Sequence, residues 1–172
     1  MKKFVAAFLV IVMSPLCLIA QPTYLVNVHK PVESYRYTAY EYRGSGSAPM
    51  ALSGGLKWYG GFTIGYGSAP YRPGFATFEL GGRYETLLFV LGHEDFGRGA
   101  GGTGIDTDPR IVTVYADGRK VMDELVYPYS VPKRVRLNVK GVNELKFMLV
   151  SGSGEIGFAE ATLWKAGQTP VE

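Results

Sequence analysis

The feature that most constrains this chain is a period of two. In "RVRLNV", Val135, Leu137 and Val139 alternate with Arg134, Arg136 and Asn138, and "ELKFMLV" puts Leu145, Phe147 and Leu149 on one side. Such alternation is the signature of strands with one buried face. "YETLLFVLG", Tyr84 to Gly92, is apolar on both sides and predicts a central strand covered on each face. "IVTVYADGRKVMDELVY" predicts a hairpin turning at Asp117-Gly118, residues that tolerate positive φ. "FATFEL", Gly81-Gly82 and "RYETLLF" predict a second hairpin. "YRYTAYEYR", "LKWYGG", "FTIGY" and "EATLW" supply further short strands, and no segment has the period of an amphipathic helix. Strands every ~8–12 residues without helices between them predict an all-β fold, an antiparallel β-sandwich or barrel.

The first twenty residues belong to another category. Lys2 and Lys3 precede the apolar run Phe4 to Val12, which Ser14-Pro15 breaks ahead of Ala20. This reads as a signal peptide cut after Ala20, which implies export to the periplasm, cell surface or medium. The run is shorter than the ~20 apolar residues of a membrane span. Lipidation at Cys17 is disfavoured by the bulky Leu16 before it. Cys17 is the sole cysteine, so the exported chain has none to pair and must rely on its core. Without Lys2 and Lys3, the 18 basic residues become 16 against 15 acidic ones, and the net charge falls from +3 to +1. That balance gives no general case for nucleic acid as a partner. The expected organisation is a signal peptide (1–20), an N-terminal extension (21–34), one domain (35–165) and a tail (166–172).

The stretch "GHEDFGRGAGGTGIDTDPR" carries several chemical suggestions at once. Gly97, Gly99 and Gly102 match the dinucleotide fingerprint, but a strand follows where that site needs a helix, and Asp108-Pro109 opposes one. His93, Glu94 and Asp95 contain a carboxylate pair of the kind used in glycoside hydrolysis. Adjacent strand residues point to opposite faces, so Glu94 and Asp95 diverge unless the strand has ended. Asp106 and Asp108 are candidate calcium ligands, although the EF-hand spacing is absent.

From Leu80 to Lys165 the sequence resembles the NPCBM family of carbohydrate-binding modules found in secreted glycosidases. The resemblance rests on "LGGRYETLLFVLGHED", "VTVYADGRKVMDELV" and "VKGVNELKFMLVSGSGEIGFAEATLW", with "LSGGLKWYGGFTIGY" as its upstream segment. It implies a jelly-roll-like sandwich that binds sugars, often galactose-containing glycans, through loops at one end. Two departures stand out. "FTIGYG" lacks the family's histidine after the Gly60-Gly61 turn, and Glu155 and Phe158 stand where the family tends to show His-x-x-Trp.

Sugar sites pair an aromatic face with charged planar groups that bond hydroxyls. The candidates for such a site are Trp58, Tyr59 and Tyr66 as rings, with His93, Glu94, Asp95 and Arg98 at the acidic turn. The expected function is non-catalytic glycan recognition, without a cofactor beyond a structural calcium. Two alternatives stay open: a sandwich used for a protein partner or self-association, and a small polysaccharide-active enzyme using Glu94 or Asp95.

Overall fold

A computed structural model describes residues 21–66, 72–94, 108–151 and 154–170. Two antiparallel sheets pack face to face. The strands are β1 (Thr23–Tyr24), β2 (Glu33–Tyr35), β3 (Tyr37–Tyr40), β4 (Met50–Leu52), β5 (Leu56–Trp58) and β6 (Gly61–Gly65). They continue with β7 (Gly74–Glu79), β8 (Thr86–His93), β9 (Arg110–Ala116), β10 (Arg119–Val126), β11 (Lys133–Asn138), β12 (Glu144–Ser151) and β13 (Glu155–Trp164). One sheet runs β11-β8-β13-β6-β3, with β1 paired to the far half of β13; the other runs β10-β9-β12-β7-β2. Strands β4 and β5 form a separate two-stranded flap. The strand pattern predicts the all-β antiparallel fold, and the NPCBM resemblance implies its jelly-roll-like sandwich form; the hairpin expected at Gly81-Gly82 does not form, because β7 and β8 lie in different sheets.

The core forms where the alternation says it should. Leu137, Leu145, Phe147 and Leu149 are buried, and five phenylalanines from both sheets meet in its centre. Phe62 lies 4.7 Å from Phe158, nearly parallel, and 5.1 Å from Phe147, edge-on. Aromatic pairs contribute ~0.5–1.5 kcal/mol each beyond the area they bury, which matters in a domain without a cysteine.

The β9–β10 hairpin turns at Asp117 and Gly118, with φ of +48° and +76°. The Asp117 carboxylate also accepts the amides of Asn143 at 3.0 Å and Glu144 at 2.8 Å, fastening this turn to the start of β12.

Residues 21–34 differ from the expected loose extension. Strands β1 and β2 add to the two sheets, and the helical turn Leu25–Val28 between them buries Leu25 and Val26 in the main core. The period-of-two reading passed over them because each element is only two to four residues long.

Strand β13 changes partner along its length, from β6 over Glu155 to Phe158 to β1 over Thr162 and Leu163. The change occurs at a bulge where Glu160 takes φ +49°. Its amide and that of Ala161 donate to the carbonyls of Tyr59 and Gly60 at 3.2 and 2.9 Å. Among the described residues no helix is long and apolar enough to cross a membrane.

Candidate functional site

The ends of six strands gather at one end of the sandwich. Glu155 on β13 pairs with Gly65 on β6, and Ile156 pairs with His93 on β8. In the other sheet, Leu149 pairs with Gly74 at the start of β7, and Ser151 pairs with Ile111 beside Arg110.

Strand parity decides which side chains reach the outer face of the first sheet. Phe62, Ile64, Leu91, Ile156 and Phe158 fill the main core. Their neighbours Thr63, Gly65, Gly92, Glu94, Glu155 and Gly157 therefore point outward. The glycines leave room for the flap. A Cβ on Gly157 would lie 2.6 Å from Met50 Sδ and closer still to Leu52 Cδ2; one on Gly92 would lie 3.2 Å from Leu52 Cδ1. Met50, Leu52, Val90 and Ala159 form a second small core, with Tyr40 and Trp58 packed against it. This second core gives β8 its apolar character on both faces, as "YETLLFVLG" predicts.

Beside the flap lies a polar network. Tyr40 donates its hydroxyl to Glu94 Oε1 at 3.0 Å, and Thr63 donates to Glu155 Oε2 at 2.8 Å. The two carboxyls are within hydrogen-bonding reach of each other. Glu94 is 8% exposed, and its Oε2 receives no N–H or O–H hydrogen bond among the described residues. Burial, then the hydrogen bond to Glu155 and its charge, push the Glu94 carboxyl up to about 7, against a smaller opposing effect of the Tyr40 hydroxyl. Burial and the Glu94 carboxyl together push the Tyr40 phenol up to about 12.

The more exposed part of this cluster is Glu155 with Arg36, beside Gly65. Gly65 is itself buried, and a Cβ there would sit 3.3 Å from Glu155 Oε1 and 3.4 Å from Arg36 Nε, so the glycine lets a carboxyl group and a guanidinium converge over the strand. Arg36 adopts φ +57°, a conformation costly for arginine, and its carbonyl accepts the Gly65 amide at 2.8 Å. The rim continues through Gly154, whose carbonyl accepts the Tyr66 amide at 3.1 Å. A Cβ on Gly154 would lie 3.4 Å from His93 Nε2. His93 Nδ1 is 2.9 Å from the Glu94 carbonyl, an orientation that turns Nε2 toward this rim.

Of the candidates named from sequence, Tyr66, His93 and Glu94 come together at this end. Glu94 lies beneath the rim rather than on it, because the outer-face register carries it under the flap at the Leu52 bridge. Trp58 rests half-buried on the flap against Met50, its Nε1 buried with no hydrogen-bond partner among the described residues. Tyr59 is separated from the group, at the bulge near the opposite end of β13, where Tyr24 and Tyr42 stack at 4.5 Å. Asp95, Arg98 and Asp106, with the glycine fingerprint, lie outside the described residues. Asp108 is described, and its carbonyl accepts the Arg110 guanidinium at 2.6 Å. No group of three or more metal-binding side chains occurs among the described residues. Arg36 and Tyr40 were missed from sequence; both sit in "YRYTAYEYR", where alternation marks a strand but not which of its residues face a site.

No protein-family model matches the chain, and no curated protein sequence does. Solved structures do resemble it. The M60 catalytic domain with the CBM51-1 and CBM51-2 domains from Clostridium perfringens ZmpB aligns over 86% of this chain, with a TM-score of 0.64 and 16% identity. The chain spans 15% of that protein's length. CBM51 from Clostridium perfringens GH95, in complex with methyl-galactose, aligns over 83% of this chain and 99% of its own, with a TM-score of 0.61 and 18% identity. The tandem CBM51 modules of a family 98 glycoside hydrolase from Streptococcus pneumoniae align over 95% of this chain and 52% of theirs. There the TM-score is 0.63 and the identity 11%. At these identities the likeness is one of fold: this chain has the β-sandwich of those carbohydrate-binding modules.

Proposed function

We propose that the protein is a non-catalytic carbohydrate-binding module that holds a neutral sugar at the loop end of its sandwich, against Arg36 and Glu155. The observation that carries this reading is the convergence of Arg36 and Glu155 over Gly65, with Tyr66 and His93 nearby at the same end. A guanidinium supplies donors and a carboxylate supplies acceptors, and a sugar hydroxyl uses both. A ring at the edge of such a pair can cover the apolar side of a pyranose. The NPCBM resemblance and the fold shared with a methyl-galactose-binding CBM51 module support galactose-containing glycans as the class. On this reading Glu94 positions Glu155 rather than touching the ligand, and Trp58 anchors the flap.

The same carboxyls argue against glycoside hydrolysis. The acids of retaining and inverting glycosidases stand ~5–5.5 Å or ~6.5–9.5 Å apart across a sugar, whereas Glu94 and Glu155 meet at hydrogen-bonding distance and Glu94 is buried. A glycan array and affinity electrophoresis of the purified protein test the proposal, with and without calcium. Retention by galactosides, independent of calcium, is expected. Absence of binding across neutral glycans overturns it.

A further inference from the structure

The second sheet has an outer face of its own, and near the same end it forms a shallow groove of about 430 Å³. Tyr35, Phe75 and Met148 lie side by side across β2, β7 and β12 and make its apolar floor. Arg72, Lys146 and Glu33 stand around them. The Lys146 ammonium lies 4.5 Å from the centre of the Phe75 ring. In the next row Thr77 sits between Glu33 and Lys146, its Oγ1 buried and without a hydrogen-bond partner among the described residues. Several exposed cations elsewhere are ion-paired, among them Arg43 with Glu41, Lys120 with Asp123, Lys133 with Glu124 and Lys140 with Glu85. Arg72, Lys146 and Glu33 have no such partner among the described residues. Two cations and one carboxylate therefore converge, unneutralised, on an aromatic floor.

From this we infer that the groove is a second glycan site, selective for an acidic sugar of the hexuronate class. The Arg72 guanidinium has the planar fork that matches a carboxylate, and Lys146 adds a second positive charge. Tyr35 and Phe75 offer the stacking surface, Tyr35 being 38% exposed. Glu33 accepts from ring hydroxyls and disfavours phosphorylated sugars, whose heavier charge it repels. The volume is within the ~300–1,000 Å³ of ligand sites and suits one or two sugar rings. This site lies on the sheet opposite Gly65 and stands independently of the function proposed there.

Amide-resolved NMR titration with trigalacturonate tests it, with methyl-galactoside as the neutral probe. Saturable shifts at Tyr35, Phe75, Thr77 and Lys146 are expected with trigalacturonate alone. Its affinity should fall at least fivefold in Arg72→Gln and in Lys146→Met, fall as salt rises, and stay unchanged in Glu155→Gln. Both substituted side chains lie on the surface, and matched urea midpoints verify the fold. Equal shifts with both probes, shifts that map elsewhere, or affinity untouched by Arg72→Gln would each overturn the inference. Loss of trigalacturonate binding alone, with methyl-galactoside still bound over Gly65, would overturn the groove and leave the first site standing.

Discussion

The Tyr40 hydroxyl reaches across the sheet to Glu94 Oε1 at 3.0 Å, joining β3 to the end of β8 through a carboxyl that also meets Glu155. A buried acid held by one donor and one fellow acid keeps its proton at pH values where an exposed glutamate has lost it.

Glu94→Gln should remove a pH dependence of stability. With its carboxyl at about 7 in the folded protein and 4.5 as its ordinary value, the native state binds more protons between those values. Stability is therefore full below pH ~4.5 and declines as pH rises through ~7. The loss is at most about 3 kcal/mol. Urea midpoints at pH 4.5, 6 and 7.5 measure it: the wild type should weaken across the series, and Glu94→Gln should be flatter.

Tyr40→Phe keeps the ring on the flap core but deletes the donor to Glu94. That hydrogen bond holds the Glu94 carboxyl down against burial, so its loss should move the wild-type decline to higher pH. A penalty of ~1–3 kcal/mol is expected at pH 7.5, with little effect at pH 4.5. An equal penalty at both values would show that Tyr40 acts through packing alone.

Gly157→Ala should lift the flap. The added methyl meets Leu52 Cδ2 and Met50 Sδ, both ends of side chains that can move, at a cost of ~1–3 kcal/mol. Trp58 emission should shift to the red while Trp164, buried and bonded to Thr162 at 3.1 Å, stays unchanged. Unchanged total emission would contradict the flap's dependence on this glycine.

Asp117→Ala should cost ~1–3 kcal/mol, although the residue is exposed. It removes the acceptor for the Asn143 and Glu144 amides and places alanine at φ +48°. Asp117→Asn should cost less, because asparagine tolerates that φ. Denaturation midpoints of the two variants give the comparison.

The sheets were legible because most strands are long enough to show alternation. Val135 to Val139 and Leu145 to Leu149 announce their buried side, and Asp117-Gly118 announces its turn. The flap was half legible: "LKWYGG" reads as a strand, while Met50 to Leu52 carries too few residues for a period. β1, the Leu25–Val28 turn and β2 escaped for the same reason. In the site, His93, Glu94 and Tyr66 were visible as polar or aromatic residues at strand ends. The pairing of Glu94 with Glu155 was not, because 61 positions separate them and only the β8–β13 register brings them together. Glu155 had registered only as a departure from the family's His-x-x-Trp pattern. Arg36 gave no signal, since its role follows from a positive φ that sequence does not display.

The most direct test is an NMR titration with methyl-galactoside, comparing the wild type with Arg36→Ala and Glu155→Gln. A millimolar complex, worth about −4 kcal/mol, is predicted to shift the amides of Gly65, Tyr66, Gly154 and Glu155. Each variant should weaken it at least tenfold while unfolding at a wild-type urea concentration at pH 4.5. Binding that maps away from Gly65, or that survives Arg36→Ala and Glu155→Gln at wild-type affinity, would contradict the account.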